Sequence, residues 1–487
     1  ARPALLSPRF VAPSWRAGLS PQPLVMTSWE AKHVAFAAVA SAATGAALAA
    51  LLQKRRLVQN EGSLSTEDQR AKKSGVVARW TRPVVIASPG LEEMGQSLSK
   101  RLGCEAFSEE CGPTVLLEQF KSGDPNMKFN WQRVVGRKIV FLFDTVDQSR
   151  LFEQLSLLQA LQGFAVPDSE DKDTKWKTYV DQGKYSWGRA AHITVVLPWY
   201  RPCQMERTSR WHLADGKWTN GNPEGQWLDV PTALYLARLL STPGSVPPLP
   251  GPADSVDGMP ISPLWRPPLE LLFIELHEEV PISHSVSDLG ATIKMERFVP
   301  YFLDKFKAAP TYPGQEDMYV LFPDHGAFCR YSASVAQRLK LDYDHILYIK
   351  KTRVAESTQQ EEHLYFDQGA NEDGSRKVGE KEAFMARNHV LIVDDFTNSG
   401  GTLFGAAGLV QKLVEGDGKP TVSIFVSHLV AAYSEKAVSD FLGKLHALGP
   451  TCRFFTTNTI PLTTDLIKSD PQVKVYDISD FVADLVR

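Results

Sequence analysis

Short apolar runs recur along the chain between stretches of helical periodicity, and this alternation predicts an α/β fold with mainly parallel sheets. The run Pro83–Ala87 (PVVIA) ends in Ser88-Pro89-Gly90, and Leu91–Leu102 then carries a helical pattern. Lys138–Phe143 (KIVFLF), His192–Leu197 (HITVVL), Leu271–Leu276 and Met318–Phe322 read as further strands. His345–Ile349, Val390–Val393, Val422–Val426 and Arg453–Thr456 complete the series. Between the first of these, Ser149–Leu161 places apolar residues at three- and four-residue spacing, as a helix does.

Three stretches break the pattern. Residues 211–227 (WHLADGKWTNGNPEGQW) are rich in Gly, Asn and Trp, and residues 242–268 are dense in proline. Both read as surface insertions, since proline there favours extended, solvated backbone. A polar run, Glu356–Glu382, reads as a loop beside the functional end of the fold.

The N-terminus differs from the rest. Residues 1–29 hold Arg2, Arg9 and Arg16 with several Ser and Pro and no acid before Glu30, which reads as a presequence-like segment or a basic tail. Val34–Leu52 (VAFAAVASAATGAALAALL) then runs 19 residues without a charge, between Lys32-His33 and Lys54-Arg55-Arg56. A helix of that length spans about 28 Å, close to a bilayer core. We expect a single transmembrane helix there; a buried soluble helix or part of a cleaved targeting signal are the alternatives. Residues 1–30 are thus the presequence-like segment, 31–58 the membrane helix with its basic flank, and 59–82 a polar linker.

Composition narrows the class only slightly. The chain has 487 residues, 22% charged and 43% hydrophobic, with 53 Lys and Arg against 56 Asp and Glu. A formal charge of −3 gives no reason to expect a nucleic-acid partner. Five cysteines without CxxC spacing argue against a disulfide framework or a zinc site.

The chemistry concentrates in Val390–Leu403, VLIVDDFTNSGGTL. Four aliphatics form a strand that delivers Asp394 and Asp395 to its carboxyl end, where α/β folds bind ligands. Asn398, Ser399, Gly400, Gly401 and Thr402 then turn into a helix over Leu403–Leu413. Small residues there let backbone N–H groups approach a phosphate, and the helix N-terminus favours the anion. The Ser399 and Thr402 hydroxyls add donors. The paired acids suit ribose hydroxyls, directly or through Mg²⁺. The whole unit resembles the phosphoribosyl-diphosphate (PRPP) loop of type I phosphoribosyltransferases.

Further stretches extend the resemblance to ribose-phosphate diphosphokinases (PRPP synthetases), most closely the plant-type second class, over roughly Val84 to Arg487. They are Leu151–Leu155 (LFEQL), Asp229–Ala233 (DVPTA) with Leu234–Ser241, Phe322–Ala327 (FPDHGA), Thr457–Pro461 (TNTIP) and Val475–Ser479 (VYDIS). The resemblance implies two tandem type I phosphoribosyltransferase-like domains. Residues 83–305 would be the ATP side, carrying the insertions 211–227 and 242–268, and residues 306–487 the half with the PRPP loop. It also implies Mg²⁺ and the transfer of diphosphate from ATP to ribose 5-phosphate, giving PRPP and AMP.

Carried over residue by residue, the resemblance makes Lys351 and Arg353, in KKTR, the cationic pair of the catalytic site. Two cations at alternate positions of an extended segment point to one side. His277 becomes the ATP-side and metal-linked histidine, although Glu275 stands where relatives have Asp. Asp324 becomes the partner for Mg²⁺. Phe120, Gly123 and Asn126 take the place of a turn touching adenine or phosphate, with Ser122 in place of its acid. Glu206 and Arg207 match an ATP-side pair, and Asn398 takes the place of a third acid in the PRPP loop.

Two functions follow as expectations. One is an active, membrane-anchored PRPP synthetase. The other is a catalytically inactive PRPP-synthetase-like accessory subunit of an organellar membrane complex. A phosphoribosyltransferase acting on a nucleobase fits less well, because motifs match in both halves. A homo-oligomer or a larger membrane assembly is expected, in the mitochondrial inner membrane or, as the alternative, a plastid membrane.

Overall fold

The computed structural model describes residues 82–104, 114–167, 185–220, 225–242, 255–256, 259–260, 267–354, 357–370, 376–415 and 417–487. The expected presequence, membrane helix and most of the linker lie outside these residues. Among the described residues no helix is long and apolar enough to cross a membrane.

The apolar runs become two sheets. In the first, β1 (Val84–Ala87), β2 (Lys138–Leu142), β3 (His192–Leu197), β4 (Leu269–Ile274) and β5 (Thr292–Glu296) lie in chain order, each parallel to the next. Strands in such a sheet are buried on both faces, which is why KIVFLF and HITVVL are continuous rather than alternating. One face packs against α2 (Leu151–Gln162), α3 (Thr232–Ser241) and α4 (Glu279–Val286), through residues such as Leu158, Ala237 and Ile282. The other face meets α1 (Glu92–Leu102) and α5 (Phe298–Lys307). Local sequence sets the limits of α1: Glu92 and Glu93 lie in the first turn, Lys100 and Arg101 in the last, and Gly103 closes it at φ +64°.

The second sheet has eight strands. They are β6 (Met318–Phe322), β7 (Ile346–Val354), β8 (Ser357–Ala370), β9 (Arg376–Lys381), β10 (His389–Thr397), β11 (Thr421–Leu429), β12 (Cys452–Thr457) and β13 (Val473–Tyr476). Their spatial order is β9-β8-β7-β6-β10-β11-β12-β13. Its parallel part reverses direction of growth between β6 and β10, and a crevice opens beyond the strand ends at such a switch point. The helices are α6 (His325–Val335), α7 (Gly401–Lys412), α8 (Glu435–Ala447) and α9 (Ser479–Val486). The first and last of these share a core with the first sheet, whereas α7 and α8 cover the opposite face.

One expectation changes, and one surface insertion gains structure. The polar run Glu356–Glu382 is not a plain loop: β8 and β9 pair antiparallel there, and β8 pairs with β7. The Trp-rich insertion is also ordered, with Arg210–Ala214, Lys217–Asn220 and Trp227–Leu228 forming a small antiparallel sheet. Its Trp218 and Trp227 rings meet edge to face at 5.6 Å and both remain exposed.

The two sheets share one core. Phe302 of α5 stacks on Phe425 of β11 with ring centroids 3.7 Å apart, and both are fully buried. The C-terminal helix α9 returns to α1: Ser97 donates to Asp477 at 2.6 Å, and Arg101 pairs with Asp480. Leu98, Val482 and Ala483 close the same contact with apolar surface. The two sheets and the helices between them are therefore mechanically coupled. We predict that Phe302→Ala costs about 3–5 kcal/mol and that denaturant unfolding, followed by circular dichroism and tryptophan fluorescence, still shows one coincident transition. Two separated transitions in the unaltered chain would contradict a shared core.

Candidate active site

The carboxyl ends of β4, β6 and β10 converge on a cleft of about 570 Å³. Its lining joins Glu206, Arg207 and His277 from the first half to Asp324, Asp394, Asp395 and Asn398–Thr402 from the second. Eleven of the expected positions are thus brought together. Phe120, Gly123 and Asn126 are not among the lining residues; they belong to a hairpin, Val115–Gln119 with Pro125–Phe129, on whose tip Phe120 is 56% exposed. Lys351 and Arg353 lie in β7, the strand beside β6, paired in register with Gln360 and Thr358 of β8. Their side chains lie outside the described residues.

Residues Val390–Leu403 form the strand, tight turn and helix start that their sequence predicts. Gly400 sits at φ +71°, in the left-handed region, and opens α7. A Cβ at that position would run into the Phe404 ring, so glycine is required twice over. The Gly400 N–H donates to Thr397 Oγ1 at 3.2 Å, and Lys444 Nζ donates to the Ser399 carbonyl at 3.1 Å. Ser399–Leu403 line the cleft, so the N-terminal end of α7 borders it, where a helix dipole favours an anion. Asn398 turns away to brace a neighbouring loop, where its Oδ1 accepts from Ala432 N–H at 2.5 Å. That bond steadies Ala431–Tyr433, three consecutive residues with φ between +41° and +52°. Such a run is strained for residues other than glycine.

The two acids of the loop are held in opposite states. Burial alone would raise the Asp395 carboxyl, but His277 and the Arg330 guanidinium outweigh it and keep Asp395 well below the usual carboxylate range. His277 Nδ1 lies 2.7 Å from Asp395 Oδ2, and Arg330 binds the same oxygen. That hydrogen bond in turn raises His277 above its ordinary value, against the effect of burial. At Asp394, burial first, then the charges of Asp395 and Asp324, push the carboxyl well above the ordinary range. One acid of the pair is thus a fixed anion and the other is readily protonated.

Glu275 explains why His277 reaches Asp395. It ends β4 at φ +50° and is 2% exposed. Its carboxylate accepts from Phe298 N–H at 2.8 Å and Val299 N–H at 2.9 Å, which caps α5. It also accepts from Tyr331 Oη at 2.8 Å and Ser427 Oγ at 3.1 Å. The longer arm of glutamate spans from the end of one sheet to the other, and the chain then turns His277 into the cleft. The role of Glu275 is positioning. His428, fully buried, lies with Nε2 3.3 Å from the Glu275 carbonyl and Nδ1 2.8 Å from Thr459 Oγ1.

Asp324 caps α6, accepting from Ala327 N–H at 2.9 Å. Among the described residues, the ligand atoms gathered within 4.8 Å of one another are those of Glu206, His277 and Glu278, a group that does not include Asp324. His277 and the carboxylates of Asp324 and Asp394 line one cleft, a donor set that fits a divalent cation such as Mg²⁺. Sequence reasoning missed Arg330 and Glu278. Arg330 follows Asp324 by six residues on α6, and Glu278 follows His277 directly; neither carries a signal until the fold places it.

The fold is that of a PRPP synthetase, with type I phosphoribosyltransferase architecture. The structure superposes on phosphoribosylpyrophosphate synthetase from Mycobacterium smegmatis with a TM-score of 0.51 and 19% identity, covering 84% of this chain and 98% of that one. In sequence, the chain is similar to plant ribose-phosphate pyrophosphokinases. It is 24% identical over 369 residues to ribose-phosphate pyrophosphokinase 4 of Oryza sativa subsp. japonica, spanning 76% of this chain and 86% of the relative. It is 25% identical over 391 residues to the mitochondrial ribose-phosphate pyrophosphokinase 3 of Spinacia oleracea, spanning 80% and 73%. A chloroplastic ribose-phosphate pyrophosphokinase 3 of Oryza sativa subsp. japonica is also similar, at 24% identity over 377 residues. No family model matches the chain.

The site also predicts an acid sensitivity. Burial holds His428 at about 4, and burial with Arg453 nearby holds His389 at about 4, against an ordinary 6.5. Both rings are neutral in the folded chain, so the unfolded chain takes up protons first as pH falls. Stability is full above about 6.5 and declines toward 4, on the order of 2–3 kcal/mol per ring. Thermal melts between pH 7.5 and pH 5 should therefore drop, and His389→Gln should lose less on acidification than the unaltered chain. Equal losses in the two proteins would contradict the assignment.

Proposed function

We propose that this chain is a ribose-phosphate diphosphokinase. The observation that carries the reading is the single cleft that joins the Ser399–Thr402 phosphate cradle to the His277–Asp395–Arg330 cluster. In this reading the 5-phosphate of ribose 5-phosphate sits on the amides that begin α7, and its ring hydroxyls face Asp394 and Asp395. The 1-hydroxyl oxygen attacks the β-phosphorus of ATP, the bond from that phosphorus to the α-phosphate oxygen breaks, and AMP leaves. The hydroxyl proton passes to solvent as the new bond forms.

Phosphoryl-group transfer of this kind depends on position and on neutralising charge. Lys351 and Arg353 are assigned to the developing charge on the diphosphate. Glu206 and Arg207 line the ATP side of the cleft, and Phe120, Gly123 and Asn126 are assigned to the nucleotide from the neighbouring hairpin. Mg²⁺, when bound, supplies charge neutralisation on the transferring group, with His277, Asp324 and the loop acids as the residues that would hold it.

A second reading is a PRPP-synthetase-like subunit that no longer catalyses. Two observations favour it: Asp395 is already engaged by an internal arginine and histidine, and Asn398 is spent on the Ala431–Tyr433 turn. In either reading, the uncharged stretch Val34–Leu52 supports a membrane tether, and the basic N-terminal segment an organellar location.

Incubating the purified full chain with Mg-ATP and ribose 5-phosphate is expected to release AMP. Lys351→Ala and Arg353→Ala should each lower kcat by roughly 10²-fold while leaving the melting temperature in place. A natively folded chain that releases no AMP above background would overturn the enzyme and leave the accessory subunit. For the tether, alkaline extraction of native membranes should leave the chain in the pellet, and deletion of residues 31–58 should release it. Extraction of the intact chain into the supernatant would contradict the anchor.

A further inference from the structure

The small antiparallel sheet between β3 and α3 carries an apolar face that the fold leaves open. Arg210–Ala214 is its central strand, between Trp227–Leu228 and Lys217–Asn220. Trp227 lies opposite Trp211 and Trp218 opposite Leu213, and Trp211 and Leu213 are two residues apart on the central strand. All four side chains therefore project from one face. Leu213 is 43% exposed, Trp218 52% and Trp227 58%. The Trp218 and Trp227 rings already meet edge to face, so they form a platform rather than scattered surface. The platform is firmly mounted. Trp211 Nε1 donates to Asp229 Oδ1 at 2.8 Å, the other Asp229 oxygen accepts from Ser209 N–H at 3.2 Å, and Asp229 stands three residues before α3.

The size of the face limits what covers it. Two half-exposed indoles and one leucine leave roughly 300–400 Å² of apolar surface. That is well short of the ~1,200 Å² that a specific association of two folded chains buries. A short extended peptide fits the footprint. Flat aromatic faces of this kind take polyproline II helices, whose rigid rings pack on indoles and whose carbonyls, unpaired within the helix, accept from indole N–H groups. Little ordering entropy is lost, because proline holds that conformation beforehand.

We infer that this face is the dock for the chain's own proline-rich stretch, residues 243–254 (PGSVPPLPGPAD), with Pro247, Pro248 and Pro250 on Trp218 and Trp227. The stretch lies outside the described residues, but its starting point is fixed: it follows Thr242, at the end of α3. α3 has ten residues, about 15 Å at 1.5 Å each, and it begins beside the Asp229 anchor of the sheet. Five to eight residues of polyproline II, at about 3.1 Å each, reach roughly 16–25 Å and so return along α3 to the sheet. Tyr235 and Leu239, one turn apart and both exposed on α3, offer apolar surface along that return. Attachment at one end gives the stretch a local concentration in the millimolar range, so weak contacts suffice. The two insertions flank one helix, and each supplies what the other lacks: one an open apolar face, the other an apolar segment without a core. Such docking is independent of whether the chain makes PRPP.

The test places a photo-reactive benzoylphenylalanine at Leu249 of the full chain and maps the cross-links by mass spectrometry. Cross-links within one chain to peptides bearing Trp218 or Trp227 are expected, and Trp218→Ala with Trp227→Ala should remove them. Pro247→Gly, Pro248→Gly and Pro250→Gly, made together, should lower their yield several-fold, because the segment loses its preformed shape. Iodide should also quench tryptophan fluorescence more in that glycine variant than in the unaltered chain, a reading that needs no photo-label. Cross-links in a band of doubled mass would put a second copy on the face, and cross-links to a different protein would put a foreign partner there; either overturns the assignment. So would cross-links that avoid residues 211–228 or survive the alanine pair, or equal quenching in the two proteins. Both rings are exposed, so the alanine pair should keep its melting temperature. If it fails to fold, the glycine variant, altered only outside the sheet, carries the same comparison.

Discussion

The buried carboxylate of Glu275 is the constraint on which the rest depends. A carboxylate with almost no access to water must be surrounded by donors, and here the donors come from both halves of the chain. Phe298 and Val299 belong to the helix that leaves the first sheet, Tyr331 to the first helix of the second half, and Ser427 to the centre of the second sheet. Satisfying that one group fixes the two sheets at a set spacing. It also forces a left-handed turn at the end of β4, and His277 enters the cleft because of that turn.

From there the electrostatics follow in sequence. His277 reaches Asp395, Arg330 reaches the same oxygen, and Asp395 becomes a permanent anion. Asp394, half-buried beside that anion, is driven toward protonation. Adjacent acids of identical type therefore take different roles because one is bonded across the junction and the other is not. The helix N-terminus at Gly400–Gly401 adds the complementary positive end for a phosphate. The cleft thus presents donors at one end and acids at the other, the pattern on which the proposed sugar-phosphate site rests.

Much of this is legible in the chain. The strands are readable because parallel, doubly buried strands demand unbroken apolar runs, and VLIVDDFTNSGGTL is readable because each residue type answers a local need. What escapes depends on pairing across distance. The strand Thr292–Glu296 has a charged, half-exposed pattern and holds its place by pairing with β4 rather than by burial. The polar run after Glu356 forms strands because β7 offers it an edge. Asn398 and Glu275 look like altered ligands in sequence, yet one braces a strained turn and the other caps a helix. Arg330 becomes a site residue only once α6 lies against β10.

In the proposed function, one cleft holds both a sugar phosphate and the phosphates of ATP. The most direct measurement is a structure of the full chain with ribose 5-phosphate, a non-hydrolysable ATP analogue and Mg²⁺. The 5-phosphate is expected on the amides of Ser399–Thr402, with the triphosphate alongside His277. Ribose 5-phosphate bound elsewhere, or a cleft that admits neither molecule while Asp395 stays locked to Arg330 and His277, would contradict it.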